Sequence, residues 1–221
     1  MSIASSIFQL KNILPQSVQL IAVSKKRTIE DIMWAYTAGQ CLFAENRVQE
    51  IVLKYEQLPD DIQWHFIGHL QTNKVKFIAP FIDLIHSVDS LRLLKEIDKE
   101  ALLNNRQIDC LLEFHIAEEE SKFGLNMQEA VSILESHDFH QMQNIRLIGV
   151  MGMATLTDDV TQNRTEFRKL KDIFTQLKSK YFFDKDIFKE ISMGMSDDFE
   201  VAIEEGSSMV RIGTAIFGER H

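Results

Sequence analysis

The alternation Ile21, Val23, Lys25 sets a lysine on the same side of a strand-like run as two apolar residues, with Leu20, Ala22 and Ser24 facing the other way. An amine partly withdrawn from water is more often neutral, and a neutral amine attacks an aldehyde to form an imine. The competing reading is the start of a solvated basic loop, Lys25-Lys26-Arg27. Ser196 reads as a helix N-cap whose hydroxyl, with the main-chain N–H groups behind it, can hold an oxyanion. Gly213 and Thr214 follow the last strand-like run, where a glycine lets main chain approach a phosphate and a threonine adds a hydroxyl. A plain cap and a plain turn explain each feature singly; their pairing on adjacent strands favours a phosphate. Asp197 and Asp198 would repel that anion unless their carboxylates turn away. Arg211 points to the same side as Gly213. A buried guanidinium there needs an acceptor, either a pyridine nitrogen or a barrel carboxylate such as Glu45 or Glu113.

Other reactive side chains give less. His65, His69, His86 and His115 read more readily as hydrogen-bonded core histidines than as catalysts. No C-x-x-C spacing appears and a metal site has little support. No G-x-S-x-G offers a nucleophilic serine elbow, and no G-x-G-x-x-G follows the first run to bind a dinucleotide. Phe167 and Phe174 belong to a packing stripe. Cys41 and Cys110 sit in apolar runs and are expected to be buried, reduced thiols.

The elements that must position these residues alternate. Strand-like runs cover 20–24, 41–45, 64–68, 84–88, 110–116, 147–153, 190–195 and 209–212. Several are continuously apolar, as expected of parallel strands buried on both faces. Helical patterns lie between them at 28–38, 46–57, about 73–79, 90–104, 126–136, 161–179 and 196–205, with an extra one before the first strand at about 5–14. In the helix at 90–104 the apolar face is Leu91, Leu94, Ile97, Ala101 and Leu102. Strict alternation implies parallel strands with right-handed crossovers, and eight repeats imply a closed (β/α)8 TIM barrel spanning 1–221 as one domain. An open doubly wound sheet is the alternative. In a barrel the active face is where the strands end, and the residues there are Ser24-Lys25, Asn46, Gly68-His69, Ser121-Lys122-Phe123-Gly124, Met195-Ser196 and Gly213-Thr214.

A net charge of −9, with no basic stretch longer than Lys25-Lys26-Arg27, argues against a nucleic-acid partner. No apolar run approaches the roughly 20 residues that span a bilayer. Residues 1–14 are too polar for a signal-peptide core, so a cytoplasmic location is expected.

Ala22-Val23-Ser24-Lys25, Phe43 to Glu50 (FAENRVQE), Trp64 to Gln71 (WHFIGHLQ), Ser121-Lys122-Phe123-Gly124, Met193 to Asp198 (MGMSDD) and Val210 to Gly218 (VRIGTAIFG) occur in the order found in the YggS/PROSC family of pyridoxal 5′-phosphate (PLP) homeostasis proteins. The sequence closely resembles that family from about Leu20 to Arg220. The resemblance implies a barrel like the N-terminal domain of alanine racemase, with PLP carried on Lys25 as a Schiff base. It implies Ser196, Gly213 and Thr214 at the phosphate, Arg211 at the pyridine nitrogen, and Asn46 and His65 lining the pocket. It also implies a monomer that acts in PLP and amino-acid homeostasis, with apo PLP enzymes as possible acceptors and no firmly established catalysis. Three features depart from the family pattern. His69 stands where many members carry proline, Arg27 where some carry a second lysine, and the run Glu118-Glu119-Glu120 is unusually acidic.

The residues bear on carrier against enzyme. An arginine at the ring nitrogen stays charged, disfavours a proton there and weakens the ring as an electron sink. The chain is expected to lack a second domain that would supply another acid–base group. A binding and carrier role is therefore the leading expectation, with a weak PLP-dependent racemase second and a cofactor-free Schiff-base aldolase third.

Overall fold

The computed structural model describes residues 2–118 and 123–219; Glu119, Glu120, Ser121 and Lys122 lie outside the described residues. Ser2 accepts from the N–H of Ser5 and opens helix α1, Ile3–Ile13, which buries Ile7 and Leu10. Eight strands follow: β1 Gln19–Val23, β2 Leu42–Glu45, β3 Gln63–Phe66, β4 Leu84–Val88, β5 Ile108–Phe114, β6 Ile145–Gly152, β7 Glu190–Ser192 and β8 Met209–Ile212. They close into a parallel barrel in chain order, with β8 returning to β1 from Gln19↔Met209 to Ala22↔Ile212.

The helices between them start where side chains satisfy their first N–H groups. Thr28 and Asp31 form a reciprocal capping box at α2, Ile29–Thr37, as do Asn126 and Glu129 at α6, Met127–Leu134. Ser90 caps α5, Leu91–Leu103. Asp159 caps α8, Val160–Tyr181, whose Phe167, Leu170 and Leu177 are buried with Phe174 packed beside them. The remaining helices are α3 Val48–Tyr55, α4 Val75–Ile78, α7 His137–Gln141, α9 Phe199–Glu204 and α10 Thr214–Phe217.

Two apolar layers result. Ile21, Val23, Ala44, Leu84, Leu111, Met151 and Met209 fill the barrel interior. Leu20, Ala22, Phe43, Trp64 and Phe66 face the helices. The alternation expected around β1 is therefore present. Main chains come very close where β6 meets β7: a Cβ on Gly149 would lie 1.8 Å from the Glu190 carbonyl oxygen.

Several sequence expectations change. The helical stretch 126–136 is present as α6, and a further short helix not expected from the sequence, α7, follows it, capped by Ser136. Leu102 lies outside the apolar face of α5 and is 60% exposed. Cys110 is buried, but Cys41 is exposed, because it precedes β2 at the open N-terminal end of the barrel. Ser196 does not cap α9; Asp198 occupies that position.

Candidate functional site

At the C-terminal end of the barrel a cavity of about 350 Å³ gathers Lys25, Asn46, Ser196, Arg211, Gly213 and Thr214. That volume lies within the usual range for small-molecule pockets. Six of the seven residues expected from sequence thus converge.

Lys25 lies two residues beyond β1, and the chain on both sides of it is fixed. Lys54 Nζ donates to the Ser24 carbonyl at 2.9 Å and to Glu45 Oε1 at 2.6 Å. The Ser24 hydroxyl donates to the same Glu45 oxygen at 2.7 Å. On the other side, the Lys26 N–H donates to Glu50 Oε2 at 2.8 Å, and Lys26 adopts φ +61. Burial raises the pKa of the Glu45 carboxyl, and Lys54 opposes that shift. Asn46 enters the cavity beside Gly68, where a Cβ would lie 2.3 Å from the Asn46 carbonyl oxygen.

Ser196 Oγ accepts from the N–H groups of Gly213 at 3.3 Å and Ala215 at 3.4 Å. These bonds are longer than the common N–H···O distance of about 2.9–3.0 Å, so the donors remain available to a stronger acceptor. Asp198 turns its Oδ1 to the Met195 N–H at 2.5 Å, whereas Asp197 stays exposed on the cavity wall.

Arg211 is buried and donates to Ser192 Oγ at 2.6 Å and the Gly152 carbonyl at 3.1 Å. It makes no ion pair with Glu45 or Glu113. Burial pulls its guanidinium down to about 10, opposed by Asp198 and Glu113, so it stays charged at neutral pH. Because Arg211 donates to Ser192, the Ser192 hydroxyl can donate onward to His86 Nδ1, 2.9 Å away. His86 Nε2 lies 3.1 Å from His65 Nδ1. Burial lowers His65 to about 4 and lowers His86 well below its ordinary value, with His65 and Arg211 adding to the second shift.

His65 is the expected residue that the structure separates from the group. It lines a second cavity, of about 390 Å³ at the opposite mouth of the barrel, and reaches Arg211 only through this chain. From the sequence, Glu113 is legible only as a carboxylate partner for Arg211. It lies in the rim cavity instead, its carboxyl pushed up to about 7 by burial, with Asp89 adding to the shift and Arg211 opposing it. Its inward position on β5 was the signal available. Among the described residues no cluster of His, Cys, Asp and Glu suits a metal ion, and no helix is long and apolar enough to cross a membrane.

A closed eight-stranded barrel with a lysine after its first strand and anion donors after its last two is an alanine racemase-type barrel. The chain belongs to the alanine racemase N-terminal domain family, whose model matches residues 2–221. It is 41% identical to the pyridoxal phosphate homeostasis protein of Aquifex aeolicus, over 91% of this chain and 87% of that protein. It is 36% identical to the protein of the same name from Haemophilus influenzae, over 93% and 86%. The structure of PipY from Synechococcus elongatus with PLP bound superposes with a TM-score of 0.89 at 34% identity, covering 98% of this chain and 100% of that one. Alanine racemase of Clostridium difficile shares the fold alone, with a TM-score of 0.74 at 14% identity, and this chain covers 56% of it.

Proposed function

We propose that the protein binds pyridoxal 5′-phosphate reversibly at the barrel rim and serves intracellular PLP homeostasis as a carrier. The observation that carries this reading is the convergence of Lys25, Arg211 and the Ser196–Gly213–Thr214 donors on one cavity. PLP supplies an aldehyde that condenses reversibly with amines, an anionic phosphate and a pyridine nitrogen. Lys25 provides the amine for the aldehyde. Ser196, Thr214 and the loosely bonded N–H groups of Gly213 and Ala215 take the phosphate. Arg211, held by Ser192 and Gly152, faces the ring nitrogen, and Asn46 lines the ring's edge. A charged arginine there disfavours a proton on that nitrogen, which suits storage more than carbanion chemistry. His65 acts at a distance, through His86 and Ser192.

We read the protein as cytoplasmic and monomeric, with apo PLP enzymes as acceptors. The free thiols Cys41 and Cys110 and the net charge of −9 are consistent with that setting.

The test is the visible spectrum of the purified protein with added PLP, then borohydride reduction and peptide mass mapping. A yellow protein with the pyridoxyl group on Lys25, and loss of that label in Lys25→Ala, is expected. A colourless protein that takes up no PLP, or a label on Lys122, would overturn the assignment.

A further inference from the structure

Among the described residues, Glu113 is the one carboxylic acid brought into the rim cavity by a barrel strand, and the binding scheme above leaves it unused. It sits near the C-terminal end of β5, where its carbonyl accepts the Leu125 N–H at 2.7 Å and fixes the main chain. It is 3% exposed and lines the same cavity as Lys25, Ser196 and Arg211. Burial and the neighbouring Asp89 both press its carboxyl toward the neutral form, against Arg211. Burying an ionised carboxylate is costly, and the usual escape is to stay protonated.

Charged and titratable groups face it from several elements. From β8, Arg211 spends its donors on Ser192 and Gly152. From the segment after β4, Asp89 is paired with His69 at 3.2 Å and still pushes Glu113 toward the neutral form. From β4 itself, His86 is kept neutral by burial. β6 and the residue after it contribute apolar side chains, Ile148, Met151 and Met153. The segment after β7 adds the carboxylates of Asp197 and Asp198. Lys25, beyond β1, lines the same wall.

We propose that Glu113 is the proton-holding acid of this cavity, and that occupancy by an anionic ligand is coupled to proton uptake at its carboxyl. A phosphate-bearing ligand adds negative charge to a space that already penalises an ionised Glu113. Linkage is reciprocal: the ligand favours the protonated acid, and the protonated acid favours the ligand. With the carboxyl pushed to about 7, the coupling falls in the neutral range. Affinity then declines as pH rises through it. The inference rests on the cavity taking an anionic ligand, as proposed above.

The experiment is calorimetric titration with PLP at pH 7.5 in buffers of different ionisation enthalpy, on the native chain and on Glu113→Gln. Protons taken up by PLP itself are common to both proteins, so the difference isolates Glu113. The native chain should take up more protons than the variant. Between pH 7 and 9 its affinity should fall more steeply than the variant's, approaching an extra tenfold per pH unit for one linked proton. Equal uptake and parallel pH profiles would overturn the role of Glu113 while leaving the site intact. Absence of PLP binding in both proteins would overturn the site itself, and the inference with it. Melting of the proteins without PLP gives a second readout. Glu113→Gln should raise Tm at pH 9 relative to the native chain and have a smaller effect at pH 5, whereas an equal change at both would count against the inference.

Discussion

Lys54 reaches out of α3 to donate its ammonium to the carbonyl of Ser24, 2.9 Å away, and so fixes the main chain immediately before Lys25. The same nitrogen pairs with Glu45, whose carboxylate is fully buried. Removing one partner of a buried pair strands the other. Lys54→Met is expected to cost about 3–5 kcal/mol, read as a lowered urea midpoint. Adding Glu45→Gln should recover part of that loss, because the stranded charge is gone. Additive effects in the double variant would refute the coupling.

The paired histidines make the fold sensitive to acid. His65 lies at about 4 in the folded chain against an ordinary 6.5, so between those values the unfolded chain binds the extra proton. Stability is therefore full above about pH 6.5 and is lost as pH falls through about 4. The loss from His65 alone is about 3 kcal/mol. In His65→Gln, urea unfolding from pH 6.5 to 4 should show a shallower slope, by up to about 1.4 kcal/mol per pH unit. An unchanged slope would mean that another group carries the acid sensitivity. Glu113 acts with the opposite sign, since its raised carboxyl contributes stability that is lost as pH rises through about 7.

Close approach of β6 and β7 makes Gly149 strict. A side chain there meets the Glu190 main chain, which cannot rotate aside. Gly149→Ala should lower stability by at least about 1–3 kcal/mol, whereas Gly218→Ala, with open space around its Cβ position, carries only the strain of its φ of +80. Circular dichroism melts of the two variants separate a steric cost from a conformational one.

Much of this was legible in the chain. Alternation placed Lys25 with Ile21 and Val23, and the inner cluster contains both of those residues. The order of the runs implied a closed barrel, because each apolar stretch was followed by a helical one. Ser196 was misread because a serine before two aspartates looks like a cap. The chain instead turns through Gly194 at φ +94, and the helix starts after Asp198. Ser196 consequently faces the donors of the next segment. Cys41 was misread because apolar neighbours imply burial only where a strand is covered at that end. The line from Arg211 through Ser192 and His86 to His65 joins four strands, β8, β7, β4 and β3, and no local pattern in one strand reports such a partnership.

The pairing of β1 with β8 joins early and late parts of the chain, and Arg27 reinforces the junction by donating to the Gly218 carbonyl and lying over the Phe217 ring. Lys25 stands on one side of that seam and Gly213 on the other. The cavity is therefore complete only with the final strand in place, a pairing between residues 190 positions apart in the chain, 209 − 19. The ligand proposed to span from Lys25 to Thr214 would act as a clasp across the seam. Occupied molecules would then resist opening by an amount set by ligand concentration over Kd, and the protein's resistance to unravelling would become a gauge of how much ligand surrounds it.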